Sequence, residues 1–191
     1  MALLFVENDD SFSWNVIDLL PVPRSAIRVR RAHELDGDAA ALRHVEALVI
    51  GPGPTDPQRA GLLELVGAAA RQGLPLLGVC LGHQAIGLAF GARLERVRPW
   101  HGQVSQVTFG PSRLFPETIG PHELMRYHSL ALTVVVPPLR VIATTAEGTV
   151  MALEHEQLPI AGLQFHPDSY ASPSGRAIVG DFFRTALEQR R

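Results

Sequence analysis

Cys80 follows the apolar run Leu74-Pro75-Leu76-Leu77-Gly78-Val79 and is followed by Leu81-Gly82-His83-Gln84. A strand-like segment thus runs straight into a thiol that has a glycine two residues away on each side, and a helical pattern begins at once. That arrangement is read as a nucleophile elbow, in which glycines permit a sharp turn that lifts the side chain clear of the sheet. A lone cysteine is ordinarily just a small buried hydrophobe. The glycines, the strand-to-helix context and a second motif, His166-Pro167-Asp168, favour the chemical reading here.

A thiol attacks a carbonyl as thiolate, so it needs a base or cationic partner, and an imidazole oriented by a carboxylate supplies one. His166 with Asp168 fits that role, since two-residue spacing along an extended segment puts both side chains on one side. His83 is a rival by sequence proximity. Its place on the helix leaving the elbow turns it away from the thiol, which assigns it a structural, hydrogen-bonding role. Acyl transfer also needs donors aimed at a developing oxyanion. The backbone N–H of Leu81 is the expected first donor and that of Gly53, in Gly51-Pro52-Gly53-Pro54, the second. Taken alone, this proline-glycine stretch is equally an ordinary stiff turn.

These residues need a scaffold that brings them together. Runs rich in Val, Ile and Leu recur at residues 3–6, 26–29, 47–50 and 74–79, most of them separated by segments of helical length. The alternation predicts parallel strands with crossover helices, hence a flavodoxin-like open α/β sheet, mostly parallel and covered on both faces. Helices are expected from a cap at Asp10 or Ser11 to about residue 20, from Pro57 to about residue 72, over 83–90, and over about 174–189. Between residues 92 and 154 shorter strand-like pieces at 103–109, 131–136, 140–145 and 149–153 read as an antiparallel extension, before a buried strand at 161–165. Ligands in open α/β sheets bind beyond the carboxyl ends of the parallel strands. Cys80, the Gly51 to Pro54 loop, the segment after Val6 and His166 all follow such strands, so four separated stretches meet at one edge.

Composition narrows the alternatives. The 191 residues read as one domain spanning 1–191, with no linker-like stretch, repeat or low-complexity segment. Apolar residues make up 46% and charged residues 19%, which excludes disorder, and a net charge of −2 gives no general attraction to nucleic acid or anionic lipid. The single cysteine forbids an internal disulfide, no apolar run approaches the roughly 20 residues of a membrane helix, and the chain opens on a strand-like segment, so the expected location is cytoplasmic. The eight histidines show no metal-ligand spacing, and neither a phosphate loop nor a dinucleotide fingerprint is present.

The motifs together resemble the class I, or triad, glutamine amidotransferases, specifically the small subunits of anthranilate synthase and aminodeoxychorismate synthase. Asn8-Asp9-Asp10-Ser11-Phe12-Ser13-Trp14-Asn15 resembles the opening loop, Gly51-Pro52-Gly53-Pro54 the oxyanion loop, and Gly78 to Gln84 with Ala85-Ile86-Gly87 the elbow. His101-Gly102, Arg126-Tyr127-His128-Ser129-Leu130 and Gly162-Leu163-Gln164-Phe165-His166-Pro167 follow in the family's order. The resemblance implies attack of Cys80 on the side-chain amide of glutamine, protonation of the departing ammonia by His166, and hydrolysis of a glutamyl thioester. It implies a glutamine site formed by Gly51, Pro52, Gly53, Leu81, Gln84, Ser129 and Leu130. It also implies transfer of ammonia to a separate chorismate-binding synthase subunit, which activates the glutaminase. No cofactor is implied for this chain, and any Mg²⁺ requirement falls on the partner. His101-Gly102 and the opening loop are expected to face that subunit.

Three departures stand out. Asp168 occupies the place of the family's glutamate, which implies weakened catalysis; a lysine is missing after His101-Gly102; and Asp9 and Trp14 replace tyrosines. Asp168 keeps open a second reading, a catalytically impaired regulatory subunit of such a complex, and a third is a free-standing cysteine hydrolase on the same fold.

Overall fold

The computed structural model describes residues 2–35 and 39–189. Five parallel strands form one half of its sheet: β1 (Leu3–Glu7), β2 (Ile27–Arg31), β3 (Ala47–Ile50), β4 (Leu76–Val79) and β9 (Ile160–Leu163). The rest is antiparallel: β5 (Arg93–Phe109), β6 (Gly120–Val134), β7 (Leu139–Thr145) and β8 (Val150–His155). The order across the sheet is β2-β1-β3-β4-β9-β8-β7-β5-β6. The parallel half has the flavodoxin-like order, and the direction reverses at the β9–β8 pairing.

Strand alternation builds a core on each face. Leu3, Phe5, Ala47, Val49, Leu77 and Val79 face α1 (Ser13–Leu19) and α5 (Gly175–Glu188), meeting Val16, Ile17, Ile178, Val179, Phe182 and Phe183. Leu4, Val6, Leu48, Ile50 and Leu76 face the other way, against α2 (Ala32–Leu35), α3 (Leu62–Arg71) and α4 (Leu81–Ala89). The strands at the centre are buried on both sides, which is why they read as continuous apolar runs rather than alternating ones.

Three elements depart most from the sequence expectation. The helix expected from Pro57 begins only at Leu62, because Gly61 takes a left-handed φ of 67° and the carboxylate of Asp56 accepts the N–H groups of Gln58 and Arg59 in a local turn instead. The expected pieces at 103–109 and 131–136 are ends of a much longer hairpin, β5 with 17 residues and β6 with 15. The pairing of that hairpin shifts register between Arg93 and Leu94, between Arg96 and Trp100 and between His101 and Gln103, so its alternation is broken.

Candidate active site

Cys80 stands between β4 and α4 with φ 52° and ψ −98°, a strained conformation for a residue with a side chain. The neighbouring glycines serve it differently from the sequence expectation, since neither adopts a positive φ among the described residues. Their role is close approach: a Cβ on Gly78 would stand 2.4 Å from the Gly82 backbone, and one on Gly82 would stand 2.3 Å from the Ile50 carbonyl oxygen. The helix therefore leaves the strand tightly enough to set Cys80 at the first turn of α4. There Leu81 N–H, as the first helical donor, has no acceptor within the helix. The Gly51 to Pro54 loop lies alongside, where a Cβ on Gly53 would meet Leu81 Cδ2 at 2.7 Å and Asn8 Cβ at 2.6 Å. Both expected oxyanion donors thus border one another.

His166 is brought over by a well-anchored segment. Its N–H donates to Met125 O at 2.9 Å, and its own carbonyl accepts the Ser172 hydroxyl at 2.7 Å, while Ser172 Oγ also accepts the Met125 N–H at 2.9 Å. Gly175 opens α5 directly against this turn, so close that a Cβ there would stand only 1.9 Å from Pro167 O. The imidazole presents Nδ1 to Asp168 Oδ1 at 3.3 Å, with both side chains buried. Phe12 and Tyr127 stand edge-on to the ring, at centroid distances of 5.5 and 6.2 Å. Burial opposes a charge on His166, but the Asp168 carboxylate and the Cys80 sulfur outweigh it and raise its pKa to about 10. Cys80, His166 and Asp168 are accordingly one electrostatic unit.

The Asp168 contact is an ion pair without an aligned hydrogen bond, and neither carboxylate oxygen has a hydrogen-bond partner. The shorter side chain reaches the imidazole edge but does not point a lone pair along the N–H direction.

His83 lies under α4 against β9, with Nδ1 2.8 Å from where a Gly162 Cβ would stand. The Gly162 backbone is its hydrogen-bonding neighbour, without aligned geometry at either ring nitrogen, and burial drives its pKa down to about 3, that contact opposing only in part.

Gln84 of α4 and Leu130 of β6 meet. Gln84 Nε2 donates to Leu130 O at 3.2 Å and to Gln164 Oε1 at 3.3 Å. With both amide hydrogens engaged, the side-chain oxygen of Gln84 is the group it can offer a bound amide. Ser129 is half-buried on the same strand. Sequence reasoning did not single out Gln164, Ser172 or the buried Arg126, although the first and last fall within motifs it quoted. Arg126 pairs with Glu147 at 2.6 Å, lies 4.0 Å from the Trp100 ring centroid, and donates through Nε to His128 Nε2 at 3.2 Å. Its burial within a strand gives no periodic signal to find it by. Among the described residues no group of His, Cys, Asp and Glu is placed to hold a metal ion.

The sequence profile of glutamine amidotransferase class-I matches residues 4–186. The chain belongs to the class I glutamine amidotransferases. Anthranilate synthase component 2 of Azospirillum brasilense is 40% identical to this amidotransferase over 187 residues, covering 96% of this chain and 95% of that protein. Aminodeoxychorismate/anthranilate synthase component 2 of Bacillus subtilis is 35% identical over 187 residues, covering 96% of each. Among solved structures, a glutamine amidotransferase of Thermotoga maritima superposes with a TM-score of 0.70 at 16% identity, over 100% of this chain and 85% of that one, a likeness of fold.

Proposed function

We propose that this amidotransferase is the glutaminase subunit of a chorismate-aminating synthase, hydrolysing glutamine and passing ammonia to a separate chorismate-binding subunit. The observation that carries the reading is the linked set of Cys80, His166 and Asp168 opening beside Gly53 and Leu81, in a chain whose relatives over nearly full length are synthase components. In this reading the proton of Cys80 already rests on His166, and the thiolate sulfur attacks the amide carbon of glutamine. The oxyanion collects the N–H groups of Gly53 and Leu81. His166 then protonates the departing nitrogen, leaving a thioester, and water deprotonated by the same imidazole releases glutamate. Gly51, Pro52, Gln84, Ser129 and Leu130 hold the substrate around that carbon.

The Asp168 carboxylate beside Nδ1 favours the protonated imidazole from which the departing nitrogen takes its proton. The relatives' names support either anthranilate or aminodeoxychorismate as the partner's product, and the partner's own site makes that choice. The chain has no helix long and apolar enough to cross a membrane among its described residues.

The test is Cys80→Ala in the reconstituted complex. Glutamine-dependent synthesis is expected to vanish while ammonia-dependent synthesis and complex formation persist, because free ammonia bypasses this subunit. Loss of the ammonia-dependent reaction as well would contradict this division of labour. The second reading, a regulatory subunit without turnover, is favoured by one observation, the unaligned Asp168 carboxylate. It predicts no glutamate release even in the complex.

A further inference from the structure

Gln164 is wholly buried on the segment leaving β9, and its side chain touches the reacting sulfur: Nε2 stands 3.7 Å from Cys80 Sγ. Which end of an amide faces a neighbour is decided by the network that holds it. Here the sense of that network is set at its far end. Arg126 Nε is a donor only, so His128 Nε2 at 3.2 Å must accept. Burial, and then the Arg126 charge, lower the His128 pKa to about 4, so the ring is neutral and its one proton sits on Nδ1. That nitrogen donates to Leu130 O at 3.0 Å. The same carbonyl oxygen is an acceptor only, so the Gln84 group 3.2 Å away is its NH₂, whose second hydrogen goes to Gln164 Oε1 at 3.3 Å. The group that Gln164 turns toward the sulfur is therefore its NH₂.

We infer that Gln164 is a catalytic residue that donates a hydrogen bond to the Cys80 thiolate, and that Gln84 is the positioning residue that fixes its amide in the donating sense. The inference deepens the glutaminase reading and rests on it for its purpose. The opposing contact makes the donor necessary. The thiol of Cys80 lies 3.9 Å from Tyr127 O, a carbonyl that can accept an S–H hydrogen bond but repels a thiolate. Gln164 interacts the other way, strengthening as charge builds on sulfur. It comes from the segment leaving β9 and is a second donor to the sulfur beside His166, whose own proton goes to the substrate nitrogen. It also connects nucleophile and substrate pocket, because the Gln84 amide that orients it is the one whose oxygen is left for glutamine.

The test is the rate of Cys80 alkylation by iodoacetamide across pH in the isolated chain, which needs neither glutamine nor a partner. Gln164→Met keeps the length of the side chain and removes the donor. The pH at which alkylation reaches half its plateau is expected to move up by about one unit, as loss of one hydrogen bond to a charged group implies. Gln84→Met is expected to move it in the same direction by less. In the complex, Gln164→Met is expected to lower kcat for glutamine more than it raises KM, whereas Gln84→Met raises KM. If Gln164→Met does not fold, the near-isosteric Gln164→Glu serves, and its negative charge is expected to shift the profile further. Profiles that coincide with the unsubstituted chain in a folded Gln164 variant would overturn the inference. Glutaminase failure of the unsubstituted complex, with the alkylation shift intact, would instead count against the proposed function and leave the Gln164 assignment standing.

Discussion

Asp168 is the residue on which the chemistry turns. A buried carboxylate with no aligned hydrogen bond is costly to keep ionised unless a cation offsets it, and His166 supplies that cation at 3.3 Å. Asp168→Asn removes the charge that keeps the imidazole protonated and is expected to lower glutamate release by about 10²-fold or more, the range of general acid–base contributions. Asp168→Glu adds the methylene needed to align the pair and is expected to raise kcat several-fold, as steady-state glutaminase kinetics on both variants will read. Equal activity in all three would show that the carboxylate does not act through His166. Cys80, His166 and Asp168 were legible because a thiol between glycines and a His-Pro-Asp after a strand are local patterns. Gln164 and Arg126 were not, because their partners, Cys80 and Gln84 for one, Trp100 and Glu147 for the other, are distant in sequence or lie across a hairpin.

At the scale of elements, the site depends on three tight junctions. Gly78 packs on Gly82, Gly53 on Leu81 and Asn8, and Gly175 on Pro167. The last is the most severe. Gly175→Ala forces either α5 or the His166 to Asp168 turn to move, and overpacking of this kind costs about 1–3 kcal/mol. A lowered denaturation midpoint together with loss of glutaminase activity is expected. A midpoint and activity equal to those of the unsubstituted chain would mean that the junction relaxes without cost. The central strands and α5 were read from sequence to within a few residues, since apolar runs buried on both faces leave a strong local signal. The long hairpin was not. Its first half, from Arg93 to His101, carries Arg93, Glu95, Arg96, Arg98 and Pro99, and three register shifts along the pairing erase the alternation that marks a strand. The same region carries Trp100 against Arg126 and His101 stacked on Tyr127 at 5.6 Å, so the least legible element supports one wall of the site.

For the whole molecule, burial of neutral histidines couples folding to pH. His83 and His128 have pKa values of about 3 and about 4 when folded, below the value of about 6.5 for an exposed histidine. For a lowered histidine the unfolded chain binds the extra proton, so the contribution is complete above about pH 6.5 and is lost as pH falls toward the folded values. While both titrate only in the unfolded chain, stability falls by about 2.8 kcal/mol per pH unit, two groups at about 1.4 each. His166 runs the opposite way, with a contribution complete below about pH 6.5 and lost as pH rises toward about 10. Urea denaturation between pH 7 and pH 4.5 is therefore expected to show a steep loss that His128→Gln reduces. A flat profile would mean that these rings find protons without unfolding.

The central claim is a working glutaminase that serves a partner. It is tested most directly by glutamate release from glutamine, by the purified chain alone and with chorismate and the chorismate-binding partner, with Cys80→Ala as blank. Release that rises on adding the partner and is absent from the blank is the predicted result. A stable complex with no release above the blank would contradict it.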